Sequence, residues 1–386
     1  VAEKVLMRTK IKLTHLVLDM DLGGLQRLIA QMIPIMDGNI FAFEVLCMNR
    51  EGCFADQLRS KGFSVVLLQK NQKRADLWYP VRLARYLRKE RVDILHMHTG
   101  TFIFGALAGA IAFTPATVFT EHGREVVDHP VRQAEDRIAV KLVDCVVPVS
   151  NNIEDVLVER IKAPRHKMRT IINGIATDLF AHRPRPRRLQ EEFSIPDGCR
   201  VIGTVARLDG IKDQIGMIKT FELIGNRLGD CRLIMVGDGP MRDELEAYIN
   251  AHGLQQRVII TGPRNDVPDF LNLFDLFVLS SLSEGTSMSL LEAMASGVPA
   301  VVTNVGGNPA IVEHNTNGLV IEPSDPAALA GAIVSILSDP ELHRTFSERC
   351  AAKVRRDYSI ERMAEDYCRL YLEILHGKKR FVDVQL

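Results

Sequence analysis

Strand-like and helix-like segments alternate along almost the whole 386-residue chain. "IKLTHLVLDM" reads as a strand, and Gly23-Gly24 then opens a helix through "LQRLIAQMIPIM". "FAFEVLCMN", "FSVVLLQ", "DILHMHT", "ATVFTEHG" and "VDCVVPVS" read as further strands, with "MRTIINGI" as a short last one. "GCFADQLRSKG" and "DLWYPVRLARYLRKERV" are helices between them. Strands separated by helices pair through crossovers, which gives a parallel sheet covered on both faces. "FAHRPRPRRLQEEFSIPDGC", with three prolines and an arginine cluster, reads as a linker. The alternation then restarts with "RVIGTVARL", "CRLIMVG", "RVIITG", "LFVLSS", "PAVVT" and "GLVIEP", and helices fill the remainder. The pattern predicts an α/β protein of two doubly wound domains, residues 1–180 and 181–366, with a final helix over about 367–386 returning to the first. In such sheets ligands bind beyond the C-terminal strand ends, so a ligand is expected in a cleft between the domains.

Composition narrows the function classes. The formal net charge is zero, which argues against a nucleic-acid binder. The first 180 residues carry a modest excess of Lys and Arg, which leaves room for an anionic partner. Seven cysteines without a C-x-x-C pair suggest a reduced, cytoplasmic chain with neither disulfides nor a cysteine zinc site. No apolar run has the length of a membrane span, and none has the pattern of a signal peptide.

Several stretches could carry chemistry. "SEGTSMSLLEAMASGVPAVV" sets Glu284 and Glu292 eight positions apart around a predicted short helix. Eight helical residues span about 12 Å, so one glutamate is expected before the helix and the other about two turns in. That separation suits two parts of one elongated ligand whose anionic middle rests on the helix N-terminus. Equally, Ser289 and Glu292 could form an S-x-x-E capping box, with Glu284 a solvated acid. Gly23-Gly24 stands at a strand-to-helix turn, where backbone can approach an anion, although G-x-G-x-x-G is absent. Asp19-x-Asp21 could be a metal-binding pair or part of that turn. His96 and His98 share a strand face, where packing or ligand hydrogen bonds are favoured over a metal because no third ligand is evident. His122 ends another strand. Arg207 and Lys212 follow a second-domain strand as either a diphosphate clamp or solvated surface cations.

Taken in order, G-G-x-x-R, T-E-H-G, "NGI" followed by Asp178, R-L-x-x-x-K, "VGDGP" and E-x7-E followed by "AMASGVPAV" resemble the retaining GT-B glycosyltransferases of family four, of the bacterial exopolysaccharide type. The match covers nearly the whole chain. It implies an acceptor-side first domain and a second domain that binds the donor, a nucleotide-diphosphate sugar with UDP slightly favoured over GDP. It implies that Glu284 faces the donor sugar and Glu292 holds the ribose hydroxyls. Backbone N–H groups of Ser287, Met288 and Ser289 would meet sugar and phosphates. Arg207 and Lys212 would stabilise the leaving diphosphate without a metal or other cofactor, Gly24 would close on the same phosphates, and His122 would contact the sugar. The base would lie against the loop near Arg264. The chain departs from many members at Ser287, which replaces a glycine, and at Ala310, which replaces a glutamate. Both changes bear on sugar identity.

The resemblance implies a hexosyltransferase acting on a saccharide or lipid-linked acceptor. A nucleotide-sugar epimerase of the same fold and a nucleotide-sugar-binding pseudoenzyme are the alternatives. Peripheral contact with the inner face of a membrane is a further expectation, from Arg82, Arg85, Arg88 and Lys89 near helical spacing behind Trp78 and Tyr79. The alternative is that Leu83 and Leu87 bury on the sheet and leave a merely solvated basic face.

Overall fold

A computed structural model describes residues 10–21, 23–71, 76–123 and 130–378. Twelve strands are described: β1 (Ile11–Asp19), β2 (Phe41–Arg50), β3 (Ser64–Leu67), β4 (Ile94–His98), β5 (Ala116–Glu121), β6 (Cys145–Pro148), β7 (Arg200–Val205), β8 (Cys231–Val236), β9 (Val258–Gly262), β10 (Leu276–Leu279), β11 (Ala300–Thr303) and β12 (Gly318–Ile321). They form two parallel six-stranded sheets, ordered β3-β2-β1-β4-β5-β6 and β12-β11-β10-β7-β8-β9. Renumbered from its own first strand, the second sheet has the same order as the first. Each therefore reverses its winding once, between β1 and β4 and between β7 and β10. The crevice at the C-terminal edge of that reversal is where such sheets take ligands.

The strands are apolar runs because both sheet faces are covered. Val45, Leu46, Cys47 and Met48 on β2 are fully buried, as are Leu276, Phe277 and Val278 on β10. Helices close each face with one apolar stripe. Tyr79–Lys89 buries Tyr79, Pro80, Leu83, Ala84 and Leu87, while Arg82, Arg85, Arg88 and Lys89 point to solvent.

The chain divides into two compact units, Val1–Gly174 with Ile360–Leu386, and Ile175–Ser359. The crossing points are tied to each other within the second unit: Ile175 N–H donates to the Tyr358 carbonyl at 2.9 Å, and Ile175 bridges Ser359. The last helix, Ile360–Gly377, starts earlier than sequence suggests, and its expected stretch 379–386 lies outside the described residues.

Two readings are corrected. The proline-rich stretch is no solvated linker. Phe180, Leu189, Ile195 and Cys199 belong to the second unit's core, and a helix runs from Arg187 to Glu192. Its arginines are held by acids of that unit, Arg185 by Asp275 at 3.5 Å and Arg188 by Asp269 at 3.1 Å. "MRTIINGI" is not a strand. It follows β6 through single contacts, Arg169 N–H to the Val146 carbonyl and Ile171 N–H to the Pro148 carbonyl, with Val146–Met168 an isolated bridge.

Candidate active site

The second unit's crevice edge carries charge. β7 ends at Val205, and the chain turns through Arg207 into a short turn, Gly210–Lys212, capped by Asp209. β10 ends at Leu279 and leads to Glu284. The topological reversal thus sets these two loops side by side, and Lys212 Nζ donates to Glu284 Oε1 at 2.7 Å. Ser281 Oγ donates to the same oxygen at 2.6 Å. The pair is well covered, with side chains 23% and 6% exposed for Lys212 and Glu284. Arg207 differs: its side chain is 71% exposed, and it pairs only loosely with Asp209, 3.9 Å away.

The loops are cross-tied. Ser280 Oγ donates to the carbonyls of Lys212 and Asp213 at 2.9 and 3.0 Å, and Leu282 N–H to that of Ile211 at 2.7 Å. Thr303 Oγ1 at the end of β11 donates to the Ser281 carbonyl at 2.6 Å. Gly306 has φ 54°, and a Cβ there would lie 1.8 Å from the Glu284 carbonyl oxygen, so only glycine fits. Gly237 of "VGDGP" plays the same part under Arg207: with φ 142°, its Cβ would fall 2.0 Å from the Ala206 carbonyl oxygen.

The helix after Glu284 is Met288–Ala295, and its cap is Ser287, whose Oγ accepts from Leu290 N–H at 3.4 Å. The capping box expected from Ser289 is therefore not formed. Ser289 is the second helical residue, and its hydroxyl lies 3.4 Å from that of Ser287. The late start also puts buried Glu292 about one turn into the helix rather than two. The orphan N–H groups of the first turn belong to Met288 and its neighbours, directly after Glu284 in the chain. Arg264 holds its own loop. Its guanidinium grips Asp266 through two bonds of 2.9 Å and Glu192 at 2.7 Å, and lies 5.1 Å over the Phe270 ring. Those bonds keep the Asp266 carboxyl well below the usual carboxylate range. The charge of Arg264 is committed there, so its loop has backbone to offer a ligand.

The first unit's crevice edge carries a cluster of histidines. Strand register aligns His15 on β1 with His96 on β4, and His98 lies two residues further on the same face. His15 Nδ1 is 3.1 Å from His98 Nε2, and His98 Nδ1 is 3.0 Å from His122 Nε2. His96 is held by Thr120 Oγ1 at 2.7 Å and by the Tyr371 hydroxyl at 2.6 Å, while Tyr367 meets Thr120 at 3.0 Å. Burial pushes His15 down to about 3 and His122 to about 4, and holds His96 and His98 well below 6.5. All four imidazoles are neutral at pH 7. His122 is half-buried and its backbone N–H donates to Thr99 Oγ1 at 2.9 Å. Thr99 in turn donates to Oε1 of the fully buried Glu121 at 2.9 Å.

His15 was missed by sequence reasoning, and it changes the metal question. His15, His96 and His98 offer nitrogens within 4.8 Å of one another. Both nitrogens of His96 and of His98 are already hydrogen-bonded, however, so a metal would have to displace those bonds. Glu121, Asn173, Tyr367 and Tyr371 were also missed. The tyrosines lie 247 and 275 positions from their partners, beyond any local signal.

Gly24 is the first residue of the helix Gly24–Met32, and a Cβ on it would meet nothing within 4 Å. The two aspartates before it are used separately. Asp19 Oδ1 accepts from Asp21 N–H and Gln26 Nε2 at 3.2 and 3.1 Å, and Asp21 pairs with Arg50 at 2.9 Å. This favours the turn reading of Asp19-x-Asp21 over the metal reading.

The family model described as Glycosyltransferase Family 4 matches residues 22–179, and that described as Glycosyl transferases group 1 matches residues 187–353. The chain belongs to the group 1 glycosyltransferases. Over 385 residues this glycosyltransferase is 28% identical to the UDP-Gal:alpha-D-GlcNAc-diphosphoundecaprenol alpha-1,3-galactosyltransferase of Escherichia coli, covering 96% of this chain and 99% of that protein. It is also 28% identical to N-acetyl-alpha-D-glucosaminyl L-malate synthase of Bacillus anthracis, over 79% of this chain and 81% of that one. Anabaena HepE in complex with UDP superposes with a TM-score of 0.81 at 21% identity, over 94% of this glycosyltransferase and 100% of that chain. A glycosyltransferase from Rickettsia africae gives the same TM-score at 21% identity, over 95% and 99%. The fold is GT-B.

Proposed function

We propose that the protein moves a hexosyl group from a nucleotide-diphosphate sugar, UDP rather than GDP, to a saccharide or lipid-linked acceptor, with retention at the anomeric carbon, in cell-surface or exopolysaccharide synthesis. The observation that carries this reading is the charge arrangement at the second reversal point: exposed Arg207, Lys212 fixed by Glu284, and the helix N-terminus at Met288. As the bond between the anomeric carbon and the diphosphate oxygen breaks, its electron pair leaves with the phosphate. Prepositioned cations and helix dipoles stabilise that charge. The acceptor hydroxyl attacks from the same face and its proton passes to the departing phosphate oxygen. In this scheme Glu284 orients the sugar and Lys212, His122 contacts the sugar, and Glu292 holds the ribose. Gly24, Ser287, Met288 and Ser289 approach the phosphates through backbone. The choice of UDP and of a lipid-linked acceptor is supported by the likeness to the Escherichia coli galactosyltransferase and to HepE, which binds UDP.

The test is transfer from UDP-sugars to a diphosphoundecaprenol-linked N-acetylglucosamine, with the product anomer read by proton NMR. An inverted linkage would overturn retention, and release of an epimerised nucleotide sugar without acceptor would overturn transfer. A thermal-shift series with UDP, GDP and ADP ranks the base, since a ligand at 100 times its Kd adds about 2.7 kcal/mol. Turnover is expected to survive EDTA, because side-chain cations supply the positive charge.

Membrane contact is the second part of the proposal. Among the described residues no helix is long and apolar enough to cross a membrane. Leu77 and Trp78 are 83% and 74% exposed at the start of the helix Tyr79–Lys89, whose outer face carries Arg85, Arg88 and Lys89. Each basic residue near an anionic surface contributes about 1 kcal/mol, enough together for weak docking beside a lipid-linked acceptor. Lys73 and Arg74 of the same basic stretch lie outside the described residues.

A further inference from the structure

We propose that His98 and His15 are positioning residues that fix His122 in one neutral tautomer, with its proton on Nδ1. The proposal deepens the reading of His122 as a sugar contact and rests on it for its functional part. Two N···N hydrogen bonds, of 3.1 and 3.0 Å, string His15, His98 and His122 into one chain. A neutral imidazole has one N–H and one bare nitrogen. His98 uses both, so it must donate in one direction and accept in the other, and the whole chain points one way or the opposite way.

The two ends decide the direction. If protons pointed inward, from His122 toward His15, then His15 would carry its hydrogen on Nε2. That atom is fully buried and has no hydrogen-bond partner. An orphaned buried N–H is rarer and costlier than an uncoordinated lone pair. If protons point outward, His15 Nδ1–H donates to His98 Nε2 and His98 Nδ1–H donates to His122 Nε2. His15 then keeps only a bare nitrogen at its orphan position, and His122 keeps its proton on Nδ1. Asn173, whose buried Oδ1 has no hydrogen-bond partner among the described residues, favours a proton on the His122 imidazole.

The surroundings hold this arrangement. His96 packs 4.2 Å from the His98 ring, and its own nitrogens are occupied by Thr120 and Tyr371. It cannot compete for the chain. A tautomer set from within the sheet lets His122 act as a fixed donor toward a hydroxyl or phosphate oxygen without first reorganising.

The decisive measurement is the two-bond nitrogen–proton spectrum of the full-length protein labelled with ¹⁵N-histidine, with His122 assigned by its loss in His122→Asn. A neutral ring with a protonated Nδ1 is expected, and a protonated Nε2 would overturn the proposal. This readout needs no turnover, so it can fail or succeed separately from the proposed transferase activity. Kinetics then test the function. His98→Leu removes the donor and is expected to lower kcat about ten- to a hundredfold while leaving UDP affinity unchanged. His98→Asn, whose amide can donate near the former Nδ1, is expected to recover most of that loss. Equal losses in both variants would overturn the positioning role. Uptake of one Zn²⁺ per chain that is abolished by His15→Gln would also overturn it, because a metal on His15 would take the place of the His15–His98 hydrogen bond from which the chain is directed.

Discussion

The two units wind their sheets in the same order, yet they furnish the C-terminal edge at the reversal point in opposite ways. In the second unit the edge holds a covered ion pair, Lys212 with Glu284, and an exposed guanidinium, Arg207. In the first it holds imidazoles that burial keeps neutral, His15, His96, His98 and His122. A departing diphosphate needs fixed positive charge, and the ion pair sets Lys212 at a defined point. A sugar hydroxyl needs a directional donor or acceptor, and neutral rings locked by hydrogen bonds offer that at low electrostatic cost. Under the proposed function one topology would supply two kinds of recognition, with the distinction in side chains rather than in fold.

The largest expected effect that would break this contrast is on turnover. Arg207→Ala and Lys212→Ala should each lower kcat by roughly two to three orders of magnitude, about 3 to 4 kcal/mol of lost charge stabilisation. Their stabilities should differ. Arg207 is exposed, so its removal should leave the melting temperature unchanged. Losing Lys212 leaves the covered Glu284 carboxylate without its cation and should cost about 1 to 3 kcal/mol. Near-normal turnover in both variants, measured where chemistry limits the rate, would remove the clamp.

Acid should sharpen the contrast from the other side. The buried histidines titrate below their ordinary 6.5, so on acidification the unfolded chain takes up protons first. Their contribution to stability is complete above about 6.5 and is lost as pH falls from there toward about 4 for His122 and about 3 for His15. Each such histidine adds up to about 1.4 kcal/mol per pH unit to the slope. Urea titrations across this window should show a slope that becomes shallower in His15→Phe. An unchanged slope would mean that the histidine cluster is not held neutral.

A smaller effect concerns the loop that shapes the charged edge. Gly306→Ala places a Cβ against the Glu284 carbonyl at a left-handed φ and should cost about 1 to 3 kcal/mol, with kcat falling alongside. If calorimetry and kinetics show neither, the loop yields more easily than its close packing implies. The smallest effect is on membrane docking. Arg85→Glu/Arg88→Glu should abolish salt-sensitive pelleting with anionic vesicles and leave transfer to a soluble acceptor intact. Equal pelleting of the unaltered protein with neutral and anionic vesicles would end that idea.

Sequence reading was strongest where the signal is local. Apolar runs alternating with helical segments, and the restart after residue 200, revealed two parallel sheets, because a strand buried on both faces must be apolar throughout. His122, Arg207, Lys212 and Glu284 follow the ends of β5, β7 and β10 as the strand pattern placed them, at the edge where such sheets take ligands. Reading failed where burial depends on distant chain. The stretch around Leu189 has linker composition, but Phe180, Leu189 and Ile195 find apolar partners and its arginines find acids. Of the two readings of the helix start, the Ser289–Glu292 capping box fails, since backbone geometry puts the cap two residues earlier at Ser287.

By itself, then, the sequence determined the α/β class, the doubling, and which residue types stand at strand ends, since each follows from periodicity and turn chemistry within a few tens of residues. Only the tertiary structure decided what those residues do to one another. It joined Lys212 to Glu284 across 72 positions and His15 to His98 across 83, and it brought Tyr371 to His96 across 275. Charge state, tautomer and pairing depend on distances of about 3 Å and on the exclusion of water. Those quantities exist only once the sheets have brought distant strands into register.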